Sequence, residues 1–270
     1  MLKTALAAAA IVLSVQIAAS APLETTPVGR IFHYLRTNID GTEPEHIHVF
    51  RPDATHIEVY KMQEKCTSAA LVTADLDLAL GYAPRITGGR LEPNAKHKQF
   101  AFITSDVPKR TITMRIDLSD SVIVDAPKEI KQQATANAPF HIYDFDLSDL
   151  TIFGPGLTKA AKAFNFDLLL LWPPHPDRKL RYLGRADFWF RGEEQRDGRA
   201  VRRYEASGPA FVGNGGPIWF DKAEGHIVDA EWKIPNHAEY KDFKLKLQGI
   251  DDGGAEAWKR LLTAHFEGCK

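Results

Sequence analysis

The chain has 270 residues, 44% hydrophobic and 26% charged, enough for a large core in one β domain or in two intimately packed ones. Its formal charge is −1, with 34 Lys and Arg interspersed among 35 Asp and Glu. That balance offers no strongly basic face and argues against nucleic acid or an anionic membrane surface as the main partner.

The first 20 residues read as an export signal. Lys3 gives a positive start, residues 5–15 are apolar, and Ile17-Ala18-Ala19-Ser20-Ala21 supplies small residues for cleavage, placed here after Ser20. An uncleaved anchor is the alternative, but a membrane span needs roughly 20 apolar residues and this run is shorter. No cysteine stands directly after the cleavage site to be lipid-modified, and no second long apolar run exists, 168–172 being far too short to span. A periplasmic or secreted protein of residues 21–270 with no transmembrane segment is expected. Cys66 and Cys269 are the two cysteines. Either they form a bridge, as an oxidising compartment permits, or they are two unpaired thiols. The chain-entropy account gives such a bridge about 4–5 kcal/mol before native strain is subtracted.

Strands are predicted at 30–36, 45–50, 56–62, 69–73, 76–80, 85–91, 99–103, 110–117 and 121–124. Turns fall at Asp40-Gly41 and at Arg51-Pro52-Asp53-Ala54. Residues 127–138 read as a short helix or an exposed linker. Strand-like alternation resumes over 139–146, Gly154-Pro155-Gly156 breaks the chain, and 157–164 reads as a short helix. Residues 166–172 read as a buried strand ended by Pro173-Pro174. From 184 to 247 a meander follows, in which Val228, Ala230, Trp232 and Ile234 alternate with Asp229, Glu231 and Lys233. Asp197-Gly198 supplies the positive φ values of a tight hairpin. An amphipathic helix over 255–266 closes the chain. The fold class is therefore mainly β: a large antiparallel curled sheet, open barrel or sandwich with a C-terminal amphipathic helix. The two ends share a strand–turn–strand style, so two similar halves, about 28–125 and 139–250, fit one exported domain.

Ile218-Trp219-Phe220-Asp221, followed by Gly225-His226-Ile227-Val228, resembles the Trp-x-Asp…Gly pattern of an exported bacterial β-protein family of unknown function. The resemblance covers the final quarter of the chain. It implies a curled antiparallel sheet with an apolar concave face, similar to periplasmic lipid carriers, and brings no catalytic residues.

Three constellations carry chemistry. If the first hairpin turns at Asp40-Gly41, His33 faces His48 and His46 lies diagonal on the same face. Three imidazoles so arranged suit zinc with a fourth position for water, the site of a metal-dependent hydrolase. The plainer reading is a wet outer face, since Phe32, Tyr34, Ile47 and Val49 point the other way. Asp144, Asp146 and Asp149 offer oxygens for calcium or an acid/base pair, against the plainer reading of a half-exposed strand. Gly213-Asn214-Gly215-Gly216 precedes a strand rather than a helix, so it reads as a hairpin loop and not a phosphate cradle.

Finally, Phe188, Phe190, Trp219 and Trp232 cluster with Trp189 and Phe220 in the meander. They are either core or the lining of an apolar groove. The leading expectation is a non-enzymatic protein, without cofactor, that binds a hydrophobic small molecule or an envelope protein through a concave sheet face. The zinc hydrolase is the competitor, and a purely structural envelope protein a third reading.

Overall fold

Fifteen strands form one continuous sheet in the computed structural model, which describes residues 21–119, 128–159, 161–172 and 179–269. The export signal, the strand expected at 121–124 and the Pro173-Pro174 turn lie outside the described residues. The first half of the chain is a meander of β1 (Ile31–Thr37), β2 (Glu45–Phe50), β3 (His56–Met62), β4 (Ala70–Asp77), β5 (Tyr82–Glu92), β6 (Lys96–Asp106), β7 (Thr111–Asp117) and β8 (Glu129–Thr135). The second half comprises β9 (Phe140–Ile142), helix α1 (Ser148–Thr158), β10 (Ala163–Leu171), β11 (Leu180–Arg196), β12 (Arg199–Ser207), β13 (Gly216–Asp221), β14 (Ile227–Trp232) and β15 (Phe243–Asp251), followed by helix α2 (Gly254–Ala264). The halves join where β1 pairs antiparallel with β15, and the sheet order runs from β8 at one edge to β9 at the other.

The sheet curls without closing. No ladder joins β8 to β9 among the described residues, although the Leu180 N–H at the start of β11 donates to the Gln132 side chain of β8 at 2.9 Å. Among the described residues every pairing is antiparallel except β9 with β10, which is parallel. The sheet is thus mixed, because α1 serves as the crossover that a parallel pair needs.

Helix α1 sits inside the curl. Ser148 through Pro155 are all buried, and a helix surrounded by sheet needs no polar stripe. This corrects two expectations: 139–146 is not one strand, and Gly154-Pro155-Gly156 does not break the chain but lies within α1. The glycines are there for close approach. A Cβ on Gly154 would lie 2.0 Å from the Gly225 carbonyl oxygen, and one on Gly156 2.8 Å from that of Glu24. The Tyr34 hydroxyl ties the layers together, donating to the Ile227 carbonyl at 2.9 Å and lying 3.2 Å from Thr151 Oγ1 of α1.

Two further expectations are corrected. Residues 129–135 are strand rather than helix or linker, completing the ladder on β7. Residues 157–164 are not a helix of their own, since α1 ends at Thr158 and β10 begins at Ala163.

The inner core gathers Phe32, Tyr34, Ile47, Val49, Val59 and Ile103 with the α1 residues Leu150, Ile152 and Phe153. A second cluster lies on the outer face, where Ala257, Trp258 and Leu262 of α2 cover Ile31, Phe50, Tyr60, Leu71 and Leu91. The Cys66–Cys269 disulfide bonds the end of the chain to the β3–β4 connection, beside the contact of His265 with the Tyr60 hydroxyl at 2.7 Å. No helix among the described residues is long and apolar enough to cross a membrane.

Candidate functional site: an apolar cavity with a charged end

The inward stripes of the first three strands all change character at one end. Side chains two apart share a face, so Phe32 and Tyr34 lead to Arg36, Glu45 leads to Ile47 and Val49, and Ile57 and Val59 lead to Lys61. The pairing of Arg36 with Glu45 and of Ile47 with Lys61 sets these charges side by side on the inner face. Burying three charged side chains there demands partners, and the segment after β9 supplies them. Tyr143–Phe145 form a short 3-10 turn, and Asp146 and Leu147 adopt left-handed conformations that lead into α1.

Asp146 is the hub. It is 1% exposed, pairs with Lys61, lies 3.4 Å from Arg36 Nε and accepts from Asn236 Nδ2 at 2.7 Å. Asn236 also accepts from Arg36 and donates to the Tyr143 carbonyl at 3.0 Å. The Arg36 guanidinium stacks over the Tyr240 ring, 3.1 Å from its centre. Burial alone would raise the Asp146 carboxyl, but Lys61, His237 and Arg36 outweigh it and hold the group well below its ordinary value. Lys61 is shifted the other way: burial lowers it, and Asp146, Glu45 and Asp144 more than reverse that.

Beside this cluster lies a cavity of about 240 Å³. Its floor exists because small residues face inward on adjacent strands, where Val72, Gly88 and Ala101 stand opposite one another in the ladder. Ile86, Ile103, Met114 and Ile116 continue that wall, and Ile142, Phe145 and Leu171 line it too. Among the described residues, only Glu45, Lys61, Asp144 and His237 bring charge or a titratable ring, all beside the hub. Burial pushes the Glu45 and Asp144 carboxyls above their ordinary values. An apolar chamber ending in a few polar groups suits an amphiphile.

Glu45, Asp146 and His237 also bring ligand atoms within 4.8 Å of one another. A cation there would compete with Lys61 and Arg36, which already neutralise Asp146, so the donor set favours the internal ion pairs over a metal.

The residues singled out from sequence are distributed differently. His33 and His48 do face each other, Nδ1 to Nδ1 at 2.8 Å, so one ring donates to the other. The His46 ring stacks 6.3 Å from that of His48, and the three do not converge on a point. The face is not simply wet: His48 is buried and stacks on Tyr60 next to the cluster covered by α2. Burial, with His33 and His46 nearby, lowers His48 to about 3. The carboxylates 144, 146 and 149 do not lie on a half-exposed strand. Asp146 is the hub, Asp144 lines the cavity, and Asp149 accepts from His141 Nδ1 at 2.7 Å within the core.

Among the meander aromatics, Phe188 and Trp232 are fully buried beside Phe211 and Phe243. Trp219 packs on the outer face with Val201 and Val228, under the Arg196 guanidinium at 3.6 Å. Phe190 flanks a separate polar hollow with Lys162 and Arg202. None of the four lines the apolar cavity, whose wall is built mainly from β4–β7 with Ile142, Phe145 and Leu171. The signal that finds it is Arg36, Glu45 and Lys61 closing three apolar stripes at one end. Comparison with known protein families and with curated proteins finds no match for this chain.

Proposed function

We propose that the protein binds an amphiphilic small molecule, its apolar chain in the cavity between β4–β7 and the Ile142–Phe145 segment, its head against Glu45, Lys61, Asp144 and His237. The observation that carries this reading is the chamber itself: apolar walls left open by Gly88 and Ala101, with every charged lining group gathered beside the Asp146 hub. The role is carriage or sequestration rather than catalysis. The Cys66–Cys269 bond fits an oxidising compartment outside the cytosol, in keeping with an exported protein.

Calorimetric titration with decan-1-ol tests the reading. Saturable binding of one molecule with a negative heat-capacity change is expected, the mark of apolar burial. Gly88→Leu is expected to abolish it by filling the chamber; an added Cβ there meets Ala101 at ordinary distances, its Cβ at 3.4 Å and its carbonyl oxygen at 3.9 Å. No saturable binding to the wild type, or unchanged binding to folded Gly88→Leu, would refute the assignment. Zinc retained in stoichiometric amount after purification without chelator, and lost with His48→Ala, would favour the hydrolase reading instead.

A further inference from the structure

The donors and acceptors at the charged end of the cavity are unevenly used, and this narrows the class of ligand, given the amphiphile reading above. We propose that the head group is a cationic hydrogen-bond donor, a primary amine or amidine, held between the carboxylates of Glu45 and Asp144.

The cations of the cluster are turned towards Asp146 and Asn236, although Arg36 Nε and Nη1 make no hydrogen bond. Lys61 pairs with Asp146 and donates to the Asp144 backbone carbonyl at 2.5 Å. Arg36 donates to Asn236, stacks on Tyr240 and does not line the chamber. The carboxylates that do line it are held more loosely. Glu45 accepts no hydrogen bond among the described residues, its nearest cation being Arg36 at 3.7 Å. Asp144 has one contact to its side chain there, a long 3.4 Å approach of the Leu171 N–H.

Carboxylates short of donors beside an apolar chamber are expensive to keep ionised, which agrees with the upward displacement of both groups. A ligand ammonium would supply the missing donors as charge-assisted hydrogen bonds, the stronger kind. Arg36 and Lys61 face three carboxylates, Asp146, Glu45 and Asp144, and His237, whose Nε2 has no hydrogen bond, shares the site. An anionic head would instead meet two carboxylates, with Lys61 already paired to Asp146. The chain carries a formal charge of only −1, so attraction to amines in general does not explain such a preference.

Decylamine, decan-1-ol and decanoate have the same chain length and different heads, and their dissociation constants at pH 7.5 separate the cases. Decylamine is expected to bind at least tenfold more tightly than either of the others. Glu45→Gln and Asp144→Asn are each expected to shrink that margin to threefold or less, with an unchanged circular dichroism spectrum reporting that each variant is folded. Equal binding of the three, tighter binding of decanoate, or an amine margin that survives both substitutions would overturn the head-group assignment and leave the cavity reading standing. Failure of all three to bind the wild type would overturn the cavity reading and this inference together.

Discussion

Asp146→Asn tests the hub most sharply. The substitution keeps the side chain's shape and suits the backbone, because residue 146 sits at φ 53 and ψ 38, a left-handed conformation that Asn tolerates well. It also keeps an oxygen able to accept from Asn236. What it removes is the negative charge between Lys61 and Arg36, which are 6% and 0% exposed. Breaking a buried pair by removing one partner costs about 3–5 kcal/mol, since the other charge is left uncompensated. At about 2–4 °C per kcal/mol for a chain of this size, melting should fall by roughly 6–20 °C. Urea denaturation gives the same quantity as a shifted midpoint at unchanged slope. Adding Lys61→Met to Asp146→Asn should cost far less than Lys61→Met alone, because the buried ammonium then has no partner to lose. A loss below about 1 kcal/mol for Asp146→Asn, or strict additivity of the pair, would refute the claim that Asp146 holds the cluster together.

Three other outcomes are expected. His226 is buried with no hydrogen bond to either ring nitrogen, and burial lowers it to about 4 against the pull of Asp221 and Glu224; His48 stands at about 3. Both bind a proton more readily when unfolded, so their contribution is complete above pH 6.5 and is lost as pH falls towards 4 and then 3. At about 1.4 kcal/mol per unit the His226 share is roughly 3 kcal/mol. His226→Phe should flatten the pH dependence of the urea midpoint between 6.5 and 4, and an unchanged slope would contradict the assignment. Gly154→Ala, whose methyl would meet the Gly225 carbonyl, should destabilise by about 1–3 kcal/mol through overpacking; a neutral effect in thermal melts would mean that α1 is not pressed against the β13–β14 turn. Cys269→Ser should lower stability by about 2–5 kcal/mol and loosen α2, seen as a red shift of Trp258 fluorescence; melting unchanged from the wild type would contradict a structural role for the bridge.

The ladders were readable in advance where one face is buried and the other is not. In β7, Ile112 and Met114 are buried and Thr113 is not, and the register of β1 on β2 places His33 opposite His48 as the symmetry of that hairpin requires. Alternation fails where both faces are covered. In β14, Asp229 is as buried as its neighbours because Arg196 reaches over it with two hydrogen bonds, the shorter at 2.7 Å. Helix α1 was hidden for a related reason: enclosed on all sides, Ser148–Thr158 has no polar face, and its Gly-Pro-Gly centre answers to Gly225 and Glu24 rather than to helix propensity. The hub joins Arg36, Lys61, Asp146 and Asn236, residues far apart in the chain, so no local spacing reveals it. The half of it that could be read was the common end at which Arg36, Glu45 and Lys61 interrupt their apolar stripes.

A crystal structure of the protein grown with decan-1-ol addresses the central claim most directly. The account predicts density for one alcohol, its chain against Val72, Ile86, Ile103 and Met114 and its hydroxyl beside Glu45 and Asp144. An alcohol bound at the Phe190 hollow, or a chamber closed by its own side chains with no alcohol inside, would contradict it.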